Sequence, residues 1–205
     1  MGGMLRPVRW GWTAGALAAA LLLAPAFHIG PVAAGDDAVA PRLHEGGAVL
    51  LIRHALAPGI GDPDGFRLDD CATQRNLSEE GRRQARAIGG WLRGRGIGQA
   101  RVYSSQWCRC LETAALLDIG PVTELPALNS FFEHPGERQG RLAELQRFLA
   151  AQPRDGGLLV LVTHQVTISA VSDTFADSGT SVLMALGEGG RLERIGTLAF
   201  GAARD

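Results

Sequence analysis

The sequence contains no lysine. All 20 of its positively charged side chains are arginine, against 21 aspartate and glutamate residues, so the formal net charge at neutral pH is -1. We interpret the missing lysine as a coding bias and not as a signal of function. The arginines form no basic stripe and do not alternate with aromatic residues, the patterns typical of nucleic-acid-binding surfaces. We therefore expect no nucleic-acid partner.

The sequence also lacks an apolar run long enough to cross a bilayer. The apolar stretch at residues 10–23 is shorter than the roughly 18 to 20 residues that a spanning helix needs. It follows Arg6 and Arg9 and precedes the small residues Val32-Ala33-Ala34, which is the layout of a secretory signal peptide. We predict that residues 1–34 are a cleaved signal and that the protein is periplasmic or secreted. The alternative is that the segment is not cleaved and anchors the protein in the membrane. The segment contains no cysteine that could be lipidated, so we do not predict a lipoprotein.

No internal repeat or low-complexity linker divides the rest of the chain. Residues 35–46 look like a loose entry segment, and residues 47–203 have the size of one domain with its own hydrophobic core. Removal of the signal would leave 18 arginines against 21 acidic side chains, a net charge of -3. We predict one domain over residues 47–203.

One stretch organises this domain. Residues 48–52 are apolar without polar alternation and run directly into Arg53 and His54, which is typical of a parallel strand buried on both faces. The pair would then lie at the carboxyl end of a central strand, where open α/β sheets form their binding crevice. A guanidinium beside a neutral imidazole suits a phosphoryl group, with the arginine as a clamp and the histidine as a nucleophile. For an isolated pair, an exposed loop is the alternative.

The same pattern recurs downstream. Residues 158–162 are apolar and lead through Thr163 to His164. Between the two runs, residues 102–114 suggest a short strand, a turn and the start of a helix that carries Arg109. Two arginines and two histidines that arrive from separate strand ends predict a phosphate pocket. For Arg109, an exposed position on an amphipathic helix is the alternative.

Periodicity predicts the remaining elements. Ser78 is a good helix N-cap, and apolar residues at helical spacing predict a helix over residues 79–93. Further helices are expected over residues 107–117 and 138–152 and after residue 165, and closing strands over residues 181–186 and 192–200.

Four segments, in this order, resemble the histidine phosphatase superfamily, whose fold is phosphoglycerate-mutase-like. They are Leu51-Ile52-Arg53-His54-Ala55, residues 76–85, Ser104-Ser105 through Arg109 to Thr113-Ala114, and Val162-Thr163-His164. The match covers residues 47–200 and indicates an exported small phosphatase. The family usually has glycine where this chain has Ala55, which we interpret as a difference between subgroups.

The resemblance implies a three-layer α/β/α sandwich around a mostly parallel central sheet. It also implies a phosphomonoester hydrolase that uses neither metal nor cofactor and forms a phosphohistidine intermediate on neutral His54. Arg53, Arg109 and His164 would neutralise the phosphoryl oxygens in place of a metal ion.

The proton donor of related enzymes comes from the segment between the arginine-bearing helix and the second histidine strand. By analogy we expect Glu133 to be this acid, with Glu137 as its rival. The two phenylalanines before Glu133 would form an apolar wall that raises its pKa, as a general acid requires. A solvated loop carboxylate is the alternative. Arg75 and His134 are candidate substrate contacts.

The chain has three cysteines, and export favours their oxidation. We predict a disulfide from Cys71 to either Cys108 or Cys110, which would tie the loop before residue 75 to the helix that carries Arg109, with the leftover thiol buried. A zinc site is not expected, because the Cys-x-Cys pair lacks a second ligand pair at metal spacing.

The expected partner is a small phosphorylated substrate. The resemblance to periplasmic members points to a phosphorylated envelope sugar, a lipopolysaccharide-core heptose or a small phosphomonoester. The main alternative function is a non-catalytic module that binds phospho-ligands in the same pocket. A structural envelope protein would leave the converging Arg-His pairs without a purpose, and a mutase is disfavoured because the chain lacks the insertions that shape a bisphosphate-primed site.

Overall fold

The first apolar run forms a central strand, as predicted. The computed structural model describes residues 1–2 and 35–200, so positions 3–34 of the predicted signal and residues 201–203 of the predicted domain lie outside the described residues. The strands are β1 Ala48–Arg53, β2 Arg101–Ser104, β3 Val122–Glu124, β4 Leu159–Thr163, β5 Ser181–Leu186 and β6 Leu192–Leu198. Their order in the sheet is β3-β2-β4-β1-β5-β6.

The sheet is mostly parallel. β1 pairs in parallel with β4, β4 with β2, and β2 with β3, whereas β5 pairs antiparallel with β1 and β6. Of the six strands in the described part of the chain, five therefore run in one direction and β5 runs against them. Because β2, β4 and β1 are neighbours and parallel, their carboxyl ends lie side by side, and this end of the strands is where ligands bind in open α/β folds.

Helices cover both faces of this sheet. They are α1 Asp36–Val39, α2 Glu79–Arg93, α3 Cys108–Leu117, α4 Arg138–Ala150 and α5 Gln165–Ser172. Alternate residues of β1 point to opposite faces, so Leu50 and Ile52 pack with α2 and α3, while Val49 and Leu51 pack with α4 and α5. The predicted three-layer fold is confirmed. In the described ranges, no helix is both long and apolar enough to cross a membrane.

Residues 35–46 are packed and not loose, so that prediction was wrong. They form α1 and a 3₁₀ helix at Ala40–His44. Val39 and Leu43 are buried in the same core cluster as Leu198 of β6. The segment is too short for apolar periodicity to reveal this packing.

The start of α2 fixes the backbone that follows His54. Ser78 accepts a hydrogen bond from the Gly81 amide at 3.1 Å, the predicted N-cap, and its own amide donates to the Leu56 carbonyl at 3.0 Å. A Cβ at Gly81 would lie 2.1 Å from that carbonyl oxygen. Glycine is therefore required for α2 to pack this closely beside the site.

Candidate active site

The two strand-end histidines meet. In the parallel pairing of β1 with β4, Arg53 lies opposite Thr163, and the His54 amide donates to the Thr163 carbonyl at 2.9 Å. His54 comes directly after Arg53, and His164 comes directly after Thr163. Their ring centroids are 5.5 Å apart. The register of two buried strands thus brings together residues that are 110 positions apart in the sequence.

One cavity contains all seven predicted site residues. Its lining includes Arg53, His54, Arg75, Arg109, Glu133, His134 and His164. The rival acid Glu137 is not among the lining residues; it forms an ion pair with Arg141 at 3.0 Å at the start of α4. Among the described residues, no group of three or more His, Cys, Asp or Glu side chains could hold a metal ion.

His54 is buried, neutral and held in one tautomer. Its Nδ1 lies 2.8 Å from the Ala55 carbonyl, and since a carbonyl oxygen can only accept, Nδ1 carries the proton and Nε2 keeps its lone pair. The side chain is 2% exposed. Burial, followed by the positive charge of Arg109, lowers the pKa of His54 to about 3, although the hydrogen bond to Ala55 opposes the shift. At neutral pH His54 therefore presents an unprotonated Nε2.

His164 is also neutral. Its Nε2 lies 2.8 Å from the Ser105 hydroxyl, and its ring packs edge-on to Trp107 with centroids 5.2 Å apart. Burial first, and then the neighbouring His54 and Arg109, lower the pKa of His164 well below the ordinary value of a histidine.

Two arginines are fixed by backbone carbonyls. Arg53 donates from Nη1 to the Ala176 carbonyl at 3.0 Å. Arg75 donates from Nε to the Gly61 carbonyl at 2.7 Å and from Nη1 to the Ala57 carbonyl. Arg75 was predicted to lie in a loop. Its side chain lines the cavity and, through these two hydrogen bonds, joins separate parts of that loop.

Asp62 is a charged site residue that sequence reasoning missed. Its carboxylate forms a two-pronged ion pair with Arg109, with Oδ1 to Nη1 at 2.8 Å and Oδ2 to Nη2 at 3.0 Å, and both side chains are 4% exposed. Burial alone would raise the pKa of Asp62, but the hydrogen bonds from Arg109, the Arg75 amide and the Trp107 indole outweigh it and lower that pKa. The loop holds four aspartates, and no pattern in the sequence marks this one as the residue that turns inward.

Glu133 lies at the open side of the cavity. Its Oε1 accepts a hydrogen bond from the Asp62 amide at 2.8 Å. The apolar enclosure predicted around it is not formed, because Glu133 is exposed, Phe131 is buried in the domain and Phe132 is 56% exposed.

The predicted disulfide is present, in one of its two expected pairings. Cys71 and Cys108 are bonded, with their Cα atoms 5.7 Å apart. The leftover thiol, Cys110, is buried as predicted, and burial raises its pKa to about 12. Cys110 is therefore a protonated thiol and a poor nucleophile.

Comparison with known proteins shows what this chain is similar to. The model of the histidine phosphatase superfamily (branch 1) matches residues 49–132, a segment that includes His54 and Arg109 and ends before His164. None of the curated proteins compared matches the chain.

Several solved structures share the fold. The protein histidine phosphatase SixA, complexed with tungstate, is 17% identical with a TM-score of 0.55, over 75% of this chain and 97% of that chain. A mycobacterial glucosyl-3-phosphoglycerate phosphatase is 18% identical with a TM-score of 0.53, over 73% and 97%. A phosphoserine phosphatase mutant of Entamoeba histolytica is 15% identical with a TM-score of 0.50, over 75% and 98%. These structures show that the chain has their fold, which is phosphoglycerate-mutase-like, and the family model supports the resemblance to the histidine phosphatase superfamily over residues 49–132.

Proposed function

We propose that this protein is a metal-independent phosphomonoester hydrolase that works through a phosphohistidine intermediate on His54. The observation that carries the proposal is the state of His54, a buried and neutral imidazole in a cavity lined by three arginines, whose Nε2 has no hydrogen-bond partner among the described residues. A neutral nucleophile beside fixed cations suits attack on a phosphoryl dianion, because the cations take up the negative charge that would otherwise repel the nucleophile.

The reaction follows from these positions. The Nε2 lone pair of His54 attacks phosphorus in line with the leaving oxygen, an N–P bond forms and the P–O bond breaks. Arg53, Arg109 and His164 contact the phosphoryl oxygens, while Glu133 gives its proton to the leaving oxygen. The Glu133 carboxylate then takes a proton from water, which attacks phosphorus, and the N–P electron pair returns to His54. Inorganic phosphate leaves and the enzyme is restored.

The mouth of the cavity offers apolar surface to the leaving group. Ile60 and Phe132 are 90% and 56% exposed and both line the cavity. An aromatic face beside a charged pocket accommodates a sugar ring or another compact group that carries the phosphate. We propose a periplasmic or secreted enzyme that acts on a small phosphomonoester, such as a phosphorylated envelope sugar or lipopolysaccharide-core heptose, with Arg75 and His134 as contacts of the substrate. The predicted export and the disulfide support this location.

The decisive test is His54→Ala in the purified protein. Hydrolysis of para-nitrophenyl phosphate should fall by a factor of about 10³ or more, and the acid-labile phosphoenzyme trapped with ³²P-labelled substrate should disappear. His44→Ala is the matched control, because His44 is exposed and does not line the cavity.

The alternative, a non-catalytic binding module, gives a different result. It would bind tungstate or vanadate, the phosphate-shaped anions, yet hydrolyse no phosphomonoester and form no phosphoenzyme. Hydrolysis unchanged by His54→Ala would reject the proposed mechanism outright.

A further inference from the structure

The hydrogen bonds of Arg109 leave one edge of its guanidinium unused. Nη1 donates to Asp62 Oδ1 and to the Arg75 carbonyl, the latter at 3.2 Å, and Nη2 donates to Asp62 Oδ2. Nε is buried and has no partner among the described residues. The Nε hydrogen and the second Nη2 hydrogen lie side by side on the planar group, which is the arrangement that binds two oxygens of one phosphate.

Asp62 itself is fully satisfied. Oδ1 accepts from Arg109 and from the Arg75 amide at 3.0 Å, and Oδ2 accepts from Arg109 and from the Trp107 indole at 3.0 Å. Moving this carboxylate away would break four hydrogen bonds. It would also leave the buried positive charge of Arg109 without a counter-ion, which is energetically costly. Asp62 is thus a permanent support for Arg109.

The same residue also contacts the candidate acid. While its side chain holds Arg109, its backbone amide donates to Glu133 Oε1 at 2.8 Å. Gly61 precedes it with a left-handed φ of +69°, and a Cβ there would lie 3.1 Å from Glu133 Oε1. The turn at Gly61 lets one residue reach both groups.

We propose that Asp62 is the positioning residue of this site. Its carboxylate occupies the end of the Arg109 guanidinium and so turns the Nε–Nη2 edge toward the phosphoryl group, and its amide sets the position of the Glu133 carboxylate. This inference rests on the proposed function. The opposite role, a carboxylate that blocks the anion site until substrate displaces it, requires Asp62 to give up four hydrogen bonds at once.

The test compares Asp62→Asn with Asp64→Asn, a control in the same loop that is exposed and does not line the cavity. Tungstate affinity, measured by isothermal titration calorimetry, should fall about 10- to 100-fold in Asp62→Asn, the usual effect of removing a group that orients a ligating side chain. It should not change in Asp64→Asn. KM for para-nitrophenyl phosphate should rise in parallel, and kcat for an alkyl phosphate, whose poor leaving group needs the acid, should fall more than kcat for the aryl ester.

Tungstate binding that is equal or tighter in Asp62→Asn would overturn the inference, because a blocking carboxylate behaves in that way. If Asp62→Asn fails to fold by circular dichroism, Asp62→Glu replaces it: the longer side chain keeps the charge but displaces Arg109, and unchanged tungstate binding would again overturn the inference. A wild-type protein that binds tungstate but hydrolyses nothing would refute the proposed function alone, since the binding comparison still decides the role of Asp62. A wild-type protein that does not bind tungstate would refute both.

Discussion

His54, the proposed nucleophile, and Glu133, the proposed general acid, differ in their exposure to solvent. His54 is enclosed, and its neutrality follows from burial and from the positive charge around it. Glu133 lies at the open mouth and accepts a hydrogen bond from the Asp62 backbone amide. An acid at the mouth can reach both the leaving oxygen and an incoming water without rearrangement of the core, which suits the two half-reactions of a phosphohistidine mechanism.

Glu133→Gln should separate leaving groups. Loss of the proton donor should slow hydrolysis of an alkyl phosphate by about 10² to 10⁴-fold, the usual contribution of general acid catalysis. Hydrolysis of para-nitrophenyl phosphate should be slowed less, because para-nitrophenolate departs without a proton. Steady-state kcat values with both esters measure the difference, and Glu137→Gln, whose carboxylate pairs with Arg141 away from the cavity, should match the wild type. Equal effects of the two substitutions would remove Glu133 from the mechanism.

The residues that the sequence could reveal are those that follow buried strands. Arg53, His54 and His164 are predictable because an apolar run fixes the strand and the strand fixes where the next side chain arrives. Asp62 is not predictable in this way. Its inward turn depends on the backbone path of a loop, through a left-handed Gly61, and on an arginine 47 positions away.

At the scale of elements, the loop between β1 and α2 is held at three places. The Cys71–Cys108 disulfide joins it to the start of α3, Arg75 binds the carbonyls of Ala57 and Gly61, and Asp62 binds Arg109. Two of these three interactions, the disulfide to Cys108 and the ion pair of Asp62, are made with Arg109 or the residue before it. The loop and the start of α3 are therefore held together beside the strand-end histidines, and the disulfide helps to hold the wall of the cavity that we propose binds the phosphoryl group.

Reduction of this disulfide should destabilise the protein and weaken the pocket together. The cross-link spans 37 positions, for which chain entropy gives a loss of about 3–4 kcal/mol in the free energy of unfolding. Urea unfolding with and without dithiothreitol should show this loss in the wild type and in Cys110→Ala, and KM should rise. A Cys71→Ser/Cys108→Ser double variant should be insensitive to dithiothreitol. A wild type with unchanged stability and KM on reduction would exclude this structural role.

Elements differ in how well the sequence predicts them. β1, β4, α2 and the closing strands were predicted because each has an apolar pattern of sufficient length. β3 was not, since it is a three-residue edge strand with two exposed positions. The packing of α1 also escaped prediction, because it depends on contacts with β6, at the opposite end of the domain sequence.

At the scale of the whole molecule, the two site histidines make the free energy of unfolding depend on pH. His54 and His164 are buried without charge, whereas in the unfolded chain each binds a proton below a pKa of about 6.5. The pKa of each is lowered by folding, so their contribution is complete above about pH 6.5 and is lost as the pH falls toward the folded-state pKa, about 3 for His54. The domain therefore carries a built-in sensitivity to acid that comes from its proposed nucleophile and the partner histidine.

The magnitude can be stated for His54. Protonation of the unfolded chain alone should lower the free energy of unfolding by about 2 kcal/mol between pH 7 and pH 5. Urea unfolding of the disulfide-intact protein at these two pH values should show at least this loss, with His164 adding to it, and His54→Gln should remove the share due to His54. Asp62 adds little in this range, because a carboxylate whose pKa is lowered by folding loses its contribution only below about pH 4. A pH dependence identical in the wild type and in His54→Gln would mean that folding does not lower the pKa of His54. Below about pH 6.5 the folded protein would then carry a protonated imidazole, which has no lone pair with which to attack phosphorus.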